Sequence, residues 1–360
     1  MKNKCKLLFV VEAMGGGVFT YIVDLANELI KTYDVYIAYA VRPQTPMDYK
    51  SYFDMRIKLI QLENWERNIR FGNELKTFIE LRKIAKQLKP DIIHLHSSKA
   101  GVLGRLAFNG HTPLLFYTPH GYSFLMENCS TIKRFIFYLI ERLTAKRRCT
   151  TISCSQGEHK ESLKITKRAA YVNNGINYTK LDDLLSNVSV KKHSFTVFTL
   201  GRLCHQKNPE LFNKIALAMP DVRFVWIGDG ELRSQITAPN IEVTGWVDRS
   251  AALQLSLNAD AFILTSLWEG LPMSLLEAMY MKKPCIVSDV IGNHDVIQTG
   301  INGFVCQTIN EFVNAIRACQ QKCVDELVNN AYQDIISEYN TQVVANGYRK
   351  IYESAIDAMK

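Results

Sequence analysis

Two glutamates, Glu269 and Glu277, lie eight positions apart in the otherwise apolar stretch TSLWEGLPMSLLEAM, Thr265 to Met279. A buried carboxylate is costly unless it is hydrogen-bonded or paired, and this stretch holds no cation, so any partner must come from elsewhere in the chain. Upstream, ADAFILTS reads as a short buried strand. Pro272 stands where a first helical turn would begin, a position whose N–H the helix does not use. Glu269 is therefore expected in a strand-to-helix loop and Glu277 inside the helix. A capping acid and a solvated helix residue would account for the pair as well as a ligand site would.

Other segments carry matching chemistry. In GRLCHQKNPE, Arg202 and Lys207 are five apart in a loop leading to a helix begun near Pro209, so two cations and a helix N-terminus can converge on one diphosphate. Gly15, Gly16 and Gly17 stand between an apolar strand and a helix, where backbone N–H groups can approach an anion, although the spacing fits neither a dinucleotide fingerprint nor a P-loop. GDGELR (Gly228 to Arg233) and GWV (Gly245 to Val247) end two further strands in tight turns. His120, in TPHGYSF, lies just beyond another strand. Each has an ordinary reading as a turn, a solvated cation or a structural histidine. Their shared place at strand carboxyl ends, where open α/β sheets bind ligands, favours a site. His94 and His96 alternate along DIIHLH and share a strand face, but no third ligand is evident, so no metal is expected.

The elements that must hold these residues alternate between strand and helix. KLLFVVEA, VYIAYAV, RIKLIQL, DIIHLHSS and PLLFYT are strand-like, with amphipathic helices between them. The rhythm pauses over NYTKLDDLLSNVSVKKHS, 178–194, which reads as an interdomain connection. It restarts with FTVFTLGR, RFVWIGDG, IEVTGWV, AFILTS and PCIVSD, implying a second doubly wound α/β domain. The expected division is 1–178 and 179–339, with a last helix, about 340–360, able to cover either part.

At 360 residues, 47% hydrophobic and 22% charged, the chain can build two ordinary globular cores. The run Leu7 to Val11 is too short for a signal peptide, and no stretch reaches the roughly 18 apolar residues of a membrane span. Nine cysteines without a CxxC pair fit a reducing cytoplasm. Residues 1–180 carry 28 Lys and Arg against 15 Asp and Glu, net +13, whereas 181–360 carry 15 against 20, net −5. A basic first half calls for an anionic partner. The stretch TIKRFIFYLIERLTAKRR, Thr131 to Arg148, reads as a basic helix that mixes Phe135, Phe137 and Tyr138 with Lys133, Arg134, Arg142, Lys146, Arg147 and Arg148. That mixture suits a membrane surface better than nucleic acid, for which no binding motif appears. A core helix with solvated charges would look the same.

Taken in order, the glycine loop, HG, NGI, GR with a downstream KN, GDG, and EGLP with EAM resemble the family 4 retaining glycosyltransferases of the GT-B fold, over about Lys6 to Val305. The resemblance implies two Rossmann-like domains facing a central cleft, the second binding a nucleotide sugar. It implies that Glu269 meets donor-sugar hydroxyls and Glu277 ribose hydroxyls. The backbone of Leu271, Pro272, Met273, Ser274 and Leu275 would face sugar and diphosphate, with Gly228 close by. Arg202 and Lys207 would neutralise the leaving diphosphate without a metal ion or other cofactor. His120 would contact the donor sugar, Gly16 and Gly17 would leave room for phosphate and acceptor hydroxyl, and Trp246 and Val247 would hold the base. The chain departs from the family at VIGNHDVI, where Asp295 takes the acidic place, and at Asn177, where aspartate is common.

The function so implied is retaining transfer of a hexose or N-acetylhexosamine from a nucleotide sugar, by family frequency a UDP-sugar, to a polyprenyl-diphosphate-linked saccharide. The setting would be bacterial surface polysaccharide synthesis, with Lys133, Arg134, Arg147 and Arg148 facing the inner leaflet of the plasma membrane. A nucleotide-sugar epimerase of similar fold and a non-enzymatic binder of anionic polymers are the alternatives.

Overall fold

The computed structural model describes residues 4–12, 14–42, 45–65, 71–186, 194–321 and 324–359. It divides into two compact units: Met1–Leu125, Cys129–Asn174 and Thr341–Lys360 form one, and Met126–Asn128 and Gly175–Asn340 the other.

The first unit is a seven-stranded, wholly parallel sheet in the order β3-β2-β1-β4-β5-β6-β7. Its strands are β1 (Lys6–Val11), β2 (Asp34–Tyr39), β3 (Lys58–Gln61), β4 (Ile92–His96), β5 (Leu114–Thr118), β6 (Cys149–Ser153) and β7 (Ala169–Tyr171). The central strands are buried on both faces, which is why they read as continuous apolar runs instead of alternating ones. Helices α1 (Gly16–Leu29), α2 (Phe71–Leu88), α3 (Ser98–Ala107), α4 (Thr131–Thr144) and α5 (Gln156–Ile165) make the crossovers. The last helix, α12 (Thr341–Asp357), belongs to this unit: Tyr348 Oη receives a hydrogen bond from Tyr21 Oη at 2.6 Å, and Tyr352 Oη lies 2.5 Å from His94 Nδ1.

The second unit is a six-stranded parallel sheet in the order β10-β9-β8-β11-β12-β13. It comprises β8 (Thr196–Leu200), β9 (Arg223–Ile227), β10 (Ile241–Val243), β11 (Ala261–Leu264), β12 (Cys285–Ser288) and β13 (Phe304–Cys306). Helices α6 (Tyr178–Leu185), α7 (Pro209–Leu217), α8 (Arg249–Leu257), α9 (Met273–Tyr280), α10 (Ile309–Gln320) and α11 (Asp325–Ser337) accompany it. Its core joins Phe212, Phe224, Trp226 and Ile263.

Three details depart from the sequence reading. Residues 178–185 are not a connection but helix α6, capped by Asn177, whose Oδ1 accepts from Lys180 N–H, and anchored by buried Leu181 and a 2.6 Å bond from Tyr280 Oη to Asp182. Residues 187–193 of that segment lie outside the described residues. The Thr131 helix stops at Thr144, so Lys146, Arg147 and Arg148 sit in the turn beyond it. Pro272 caps α9 from outside, with φ −76° and ψ 125°, one residue before the position expected.

Candidate functional site

In the second unit the strand order reverses between β8 and β11, so the loops leaving their carboxyl ends run side by side. Leu267 N–H donates to the Gln206 carbonyl at 2.8 Å, Thr265 Oγ1 to the Lys207 carbonyl at 2.8 Å, and Gln206 Nε2 to the Trp268 carbonyl at 2.9 Å. This seam explains what Glu269 is paired with. Lys207 Nζ sits 2.6 Å from Glu269 Oε1, Ser266 Oγ donates to the same oxygen at 2.7 Å, and Gln206 Nε2 reaches Oε2 at 3.2 Å. The carboxylate is only 7% exposed, yet fully supplied with donors.

Arg202 Nη2 pairs with Glu231 at 3.0 Å, while its Nε is buried without a partner. The turn that carries Glu231 is pressed against the β8 loop: Gly228, at φ +134°, could not take a Cβ, which would lie 2.3 Å from the Gly201 carbonyl oxygen. Behind Glu269, α9 starts with no side-chain cap and no acid in its first turn. The N–H groups of Met273 and Ser274 have no acceptor within the helix, and the macrodipole adds positive potential there. Glu277, one turn further, is also buried, and Arg249 Nη2 holds its Oε1 at 2.7 Å. Arg249 opens α8, directly after the turn in which Trp246 and Val247 stand exposed. In the neighbouring loop, Asp295 accepts from Gly292 N–H at 3.1 Å, and Gly292 packs on the Gly270 carbonyl.

The first unit makes its own cluster, where its order reverses between β1 and β4. Gly15 caps α1 without a side chain, Gly16 takes φ +57°, and Gly17 follows within the helix, whose first turn carries no acid. A Cβ at Gly16 would meet nothing within 4 Å, so glycine is required there for backbone conformation and not for space. His120 adopts φ +56°, the left-handed region that a non-glycine residue occupies at a cost. The following turn is held by buried Glu158, which accepts from Gly121 N–H at 2.7 Å and Cys154 N–H at 2.8 Å. His120 Nε2 lies 3.1 Å from His96 Nδ1, and its ring meets that of Tyr21 at 4.8 Å. Burial pushes the His120 imidazole down to about 3, and holds His94 and His96 well below the usual histidine range.

Each set of candidates is gathered within its unit. Arg202, Lys207, Glu269, Glu277 and residues 271–275 belong to the second, and Gly16, Gly17 and His120 to the first. Sequence reasoning missed Gln206, Ser266, Arg249 and Glu158. The last could have been found, since SQGE, Ser155 to Glu158, is a helix-start signature. Among the described residues, no group of three His, Cys, Asp or Glu could hold a metal ion.

On the first unit's surface, α4 buries Glu141 against Arg105 at 2.6 Å, and Tyr117 Oη donates to the same carboxylate at 3.0 Å. That inward pair sets the helix's rotation. Ile132, Phe135, Ile136, Leu139 and Leu143 then point outward, 37 to 75% exposed. Phe137 and Tyr138 instead pack on the core, so only one of the three aromatics read as surface-facing is exposed. Lys133, Arg147 and Arg148 are exposed, while Arg134 is half-buried and donates to the Phe124 carbonyl at 2.9 Å. No helix among the described residues is long and apolar enough to cross a membrane.

Two wholly parallel α/β units, of seven and six strands, make up the GT-B architecture, and the chain belongs to glycosyltransferase family 4. The family description "Glycosyltransferase Family 4" matches residues 15–180, and "Glycosyl transferases group 1" matches 194–322. The chain is 31% identical over 324 residues to the Escherichia coli UDP-Gal:alpha-D-GlcNAc-diphosphoundecaprenol alpha-1,3-galactosyltransferase, covering 80% of this chain and 82% of that one. It is 25% identical over 330 residues to the Campylobacter jejuni N,N'-diacetylbacillosaminyl-diphospho-undecaprenol alpha-1,3-N-acetylgalactosaminyltransferase, covering 84% and 87%. Anabaena HepE, solved in complex with UDP and glucose, superposes with a TM-score of 0.77 at 19% identity over 97% of this chain and all of that one. The protein is a glycosyltransferase.

Proposed function

We propose that this transferase moves a hexose or N-acetylhexosamine from a UDP-sugar to a hydroxyl of a polyprenyl-diphosphate-linked saccharide in bacterial surface polysaccharide synthesis, with retention and without a metal ion. The observation that carries the donor half is Lys207 held against buried Glu269 next to the uncapped start of α9, with Arg202 in the same β8 loop as Lys207. It provides fixed positive potential for a leaving diphosphate where a metal would otherwise be needed. The acceptor half rests on the two relatives whose names specify diphosphoundecaprenol-linked sugars.

In the reaction so drawn, the acceptor oxygen bonds to the anomeric carbon as the bond from that carbon to the diphosphate oxygen breaks. The bonding pair leaves with the diphosphate, and the acceptor proton passes to a diphosphate oxygen. Glu269, saturated with donors from Lys207, Ser266 and Gln206, is placed to orient sugar hydroxyls and not to attack carbon. Catalysis is then positioning and charge stabilisation.

The outward apolar stripe of α4, flanked by Lys133, Arg142 and Lys146, supports attachment to an anionic leaflet. Beside the helix end, an open cavity of about 400 Å³ is lined by Arg82, Lys86 and Arg147 and by no carboxylate. The test is a donor panel with a synthetic lipid-diphosphate sugar acceptor, run with and without chelator, with the product anomer read by NMR. Transfer from a UDP-sugar with retention in chelator supports the reading. A metal requirement, an inverted product, or transfer only to free sugars refutes the corresponding part.

A further inference from the structure

We infer that His96 is a positioning residue for His120: it occupies Nε2 of the His120 ring, leaves Nδ1 as the one ring nitrogen open to substrate, and makes that nitrogen a hydrogen-bond donor. The inference rests on the reading of His120 as a substrate contact. The two rings are inclined by 23°, with centroids 5.3 Å apart and facing nitrogens 3.1 Å apart. The centroid separation exceeds the nitrogen separation by about a ring radius at each end. The rings therefore meet end to end in the plane of a hydrogen bond and not face to face.

Both imidazoles are held neutral by burial, so each carries one proton and exactly one of the facing nitrogens donates. His96 is fully buried, and its Nε2 has no hydrogen-bond partner. His94, whose ring is tilted by 30° to that of His96 at a centroid distance of 4.2 Å, cannot serve it, since Nδ1 and Nε2 of that ring engage Tyr352 and Thr118. If His120 donated, His96 would carry its proton on Nε2, as a sealed N–H without an acceptor. If His96 donates from Nδ1, only a lone pair is left bare. Orphaned buried N–H groups are the rarer outcome in folded proteins, so the proton belongs on His96 Nδ1. His120 then accepts at Nε2 and carries its own proton on Nδ1, aimed at an oxygen of the substrate. The left-handed backbone at His120 and the clamp of Glu158 on Gly121 fix the rest of the ring's placement.

The test uses three substitutions, with kcat, KM, thermal stability at pH 7 and ring ¹⁵N shifts of labelled histidine as readouts. Asparagine places its amide nitrogen at the same bond distance from the backbone as Nδ1, so His96→Asn keeps the donor and should retain activity within about twofold. His96→Leu should lose about tenfold in kcat/KM, the worth of one neutral hydrogen bond, with the wild-type fold. His96→Asp can only accept, and should lose at least as much while shifting the His120 proton from Nδ1 to Nε2 in the ¹⁵N spectrum. Full activity in His96→Leu, or a wild-type His120 proton on Nε2, overturns the inference. His120→Ala separates the two levels: if it stays active, the reading of His120 fails, whereas if it is inactive while His96→Leu is active, only the role of His96 fails.

Discussion

Lys207 and Glu269 form a 2.6 Å pair whose side chains are 16% and 8% exposed, so charge is compensated at little solvent contact. Replacing Lys207 by Met leaves the Glu269 carboxylate buried with only Ser266 and Gln206 as donors. Breaking one partner of a buried pair costs about 3 to 5 kcal/mol; the residual exposure of Lys207 puts the expected loss at the lower end, about 3 kcal/mol. For a unit of this size that corresponds to a fall of roughly 6–12 °C in its melting temperature. The double variant Lys207→Met, Glu269→Gln removes both charges and should recover at least about half of the lost stability. Turnover should behave oppositely. Both single variants and the double should fall by roughly 10² to 10³, because a cation facing a departing diphosphate is not replaced by neutralising its resting partner. Calorimetry gives the stability arm and a coupled UDP-release assay the turnover arm. If the double variant regains turnover along with stability, the pair is a brace for the β8 and β11 loops and the assignment of Lys207 to the diphosphate fails.

Four further outcomes follow from the geometry. Glu277→Gln should raise the KM for the donor more than it lowers kcat, and Glu269→Gln the reverse, as steady-state kinetics with one donor would show. Glu141→Ala should destabilise the first unit by about 3 kcal/mol or more in urea denaturation, because it strands Arg105 in the core beneath α4. The histidines His94, His96 and His120 stay neutral when folded but take up protons when unfolded, near 6.5. Their lowered folded values mean that stability is intact above the unfolded value and is lost as pH falls below it, for His120 down to about 3. Each contributes up to about 1.4 kcal/mol per pH unit within its window. The stability of His94→Asn should accordingly fall less steeply between pH 6.5 and 5 than that of the parent. For the membrane reading, sedimentation with anionic liposomes at low salt should be lost on Arg147→Glu, Arg148→Glu and weakened by Phe135→Ser; neutral liposomes binding equally well would remove the electrostatic part.

The order of strands and helices and the two-unit organisation were legible because they are local, and the residue types of the candidate site were proposed from the same local signals. Buried parallel strands show as uninterrupted apolar runs such as KLLFVV and AFILTS, and glycine, proline and charged residues mark the loops at their carboxyl ends. The two glutamates could also be seen, by the same local logic, to need cations they did not carry. Which cations those are was decided by tertiary structure. Lys207 and Glu269 are 62 residues apart and meet because β8 and β11, non-consecutive in the chain, are neighbours in the sheet; Arg249 and Glu277 are 28 apart and meet because the start of α8 comes up against α9. The outward face of α4 was likewise invisible in its composition, since aromatics and cations alternate around the helix and only the buried Arg105–Glu141 pair sets which side turns inward. The fate of Tyr348 and Tyr352 in α12, some 250 residues from the histidine they help enclose, could not be read from any window of sequence, because periodicity reports that a helix has an apolar face and not which surface covers it.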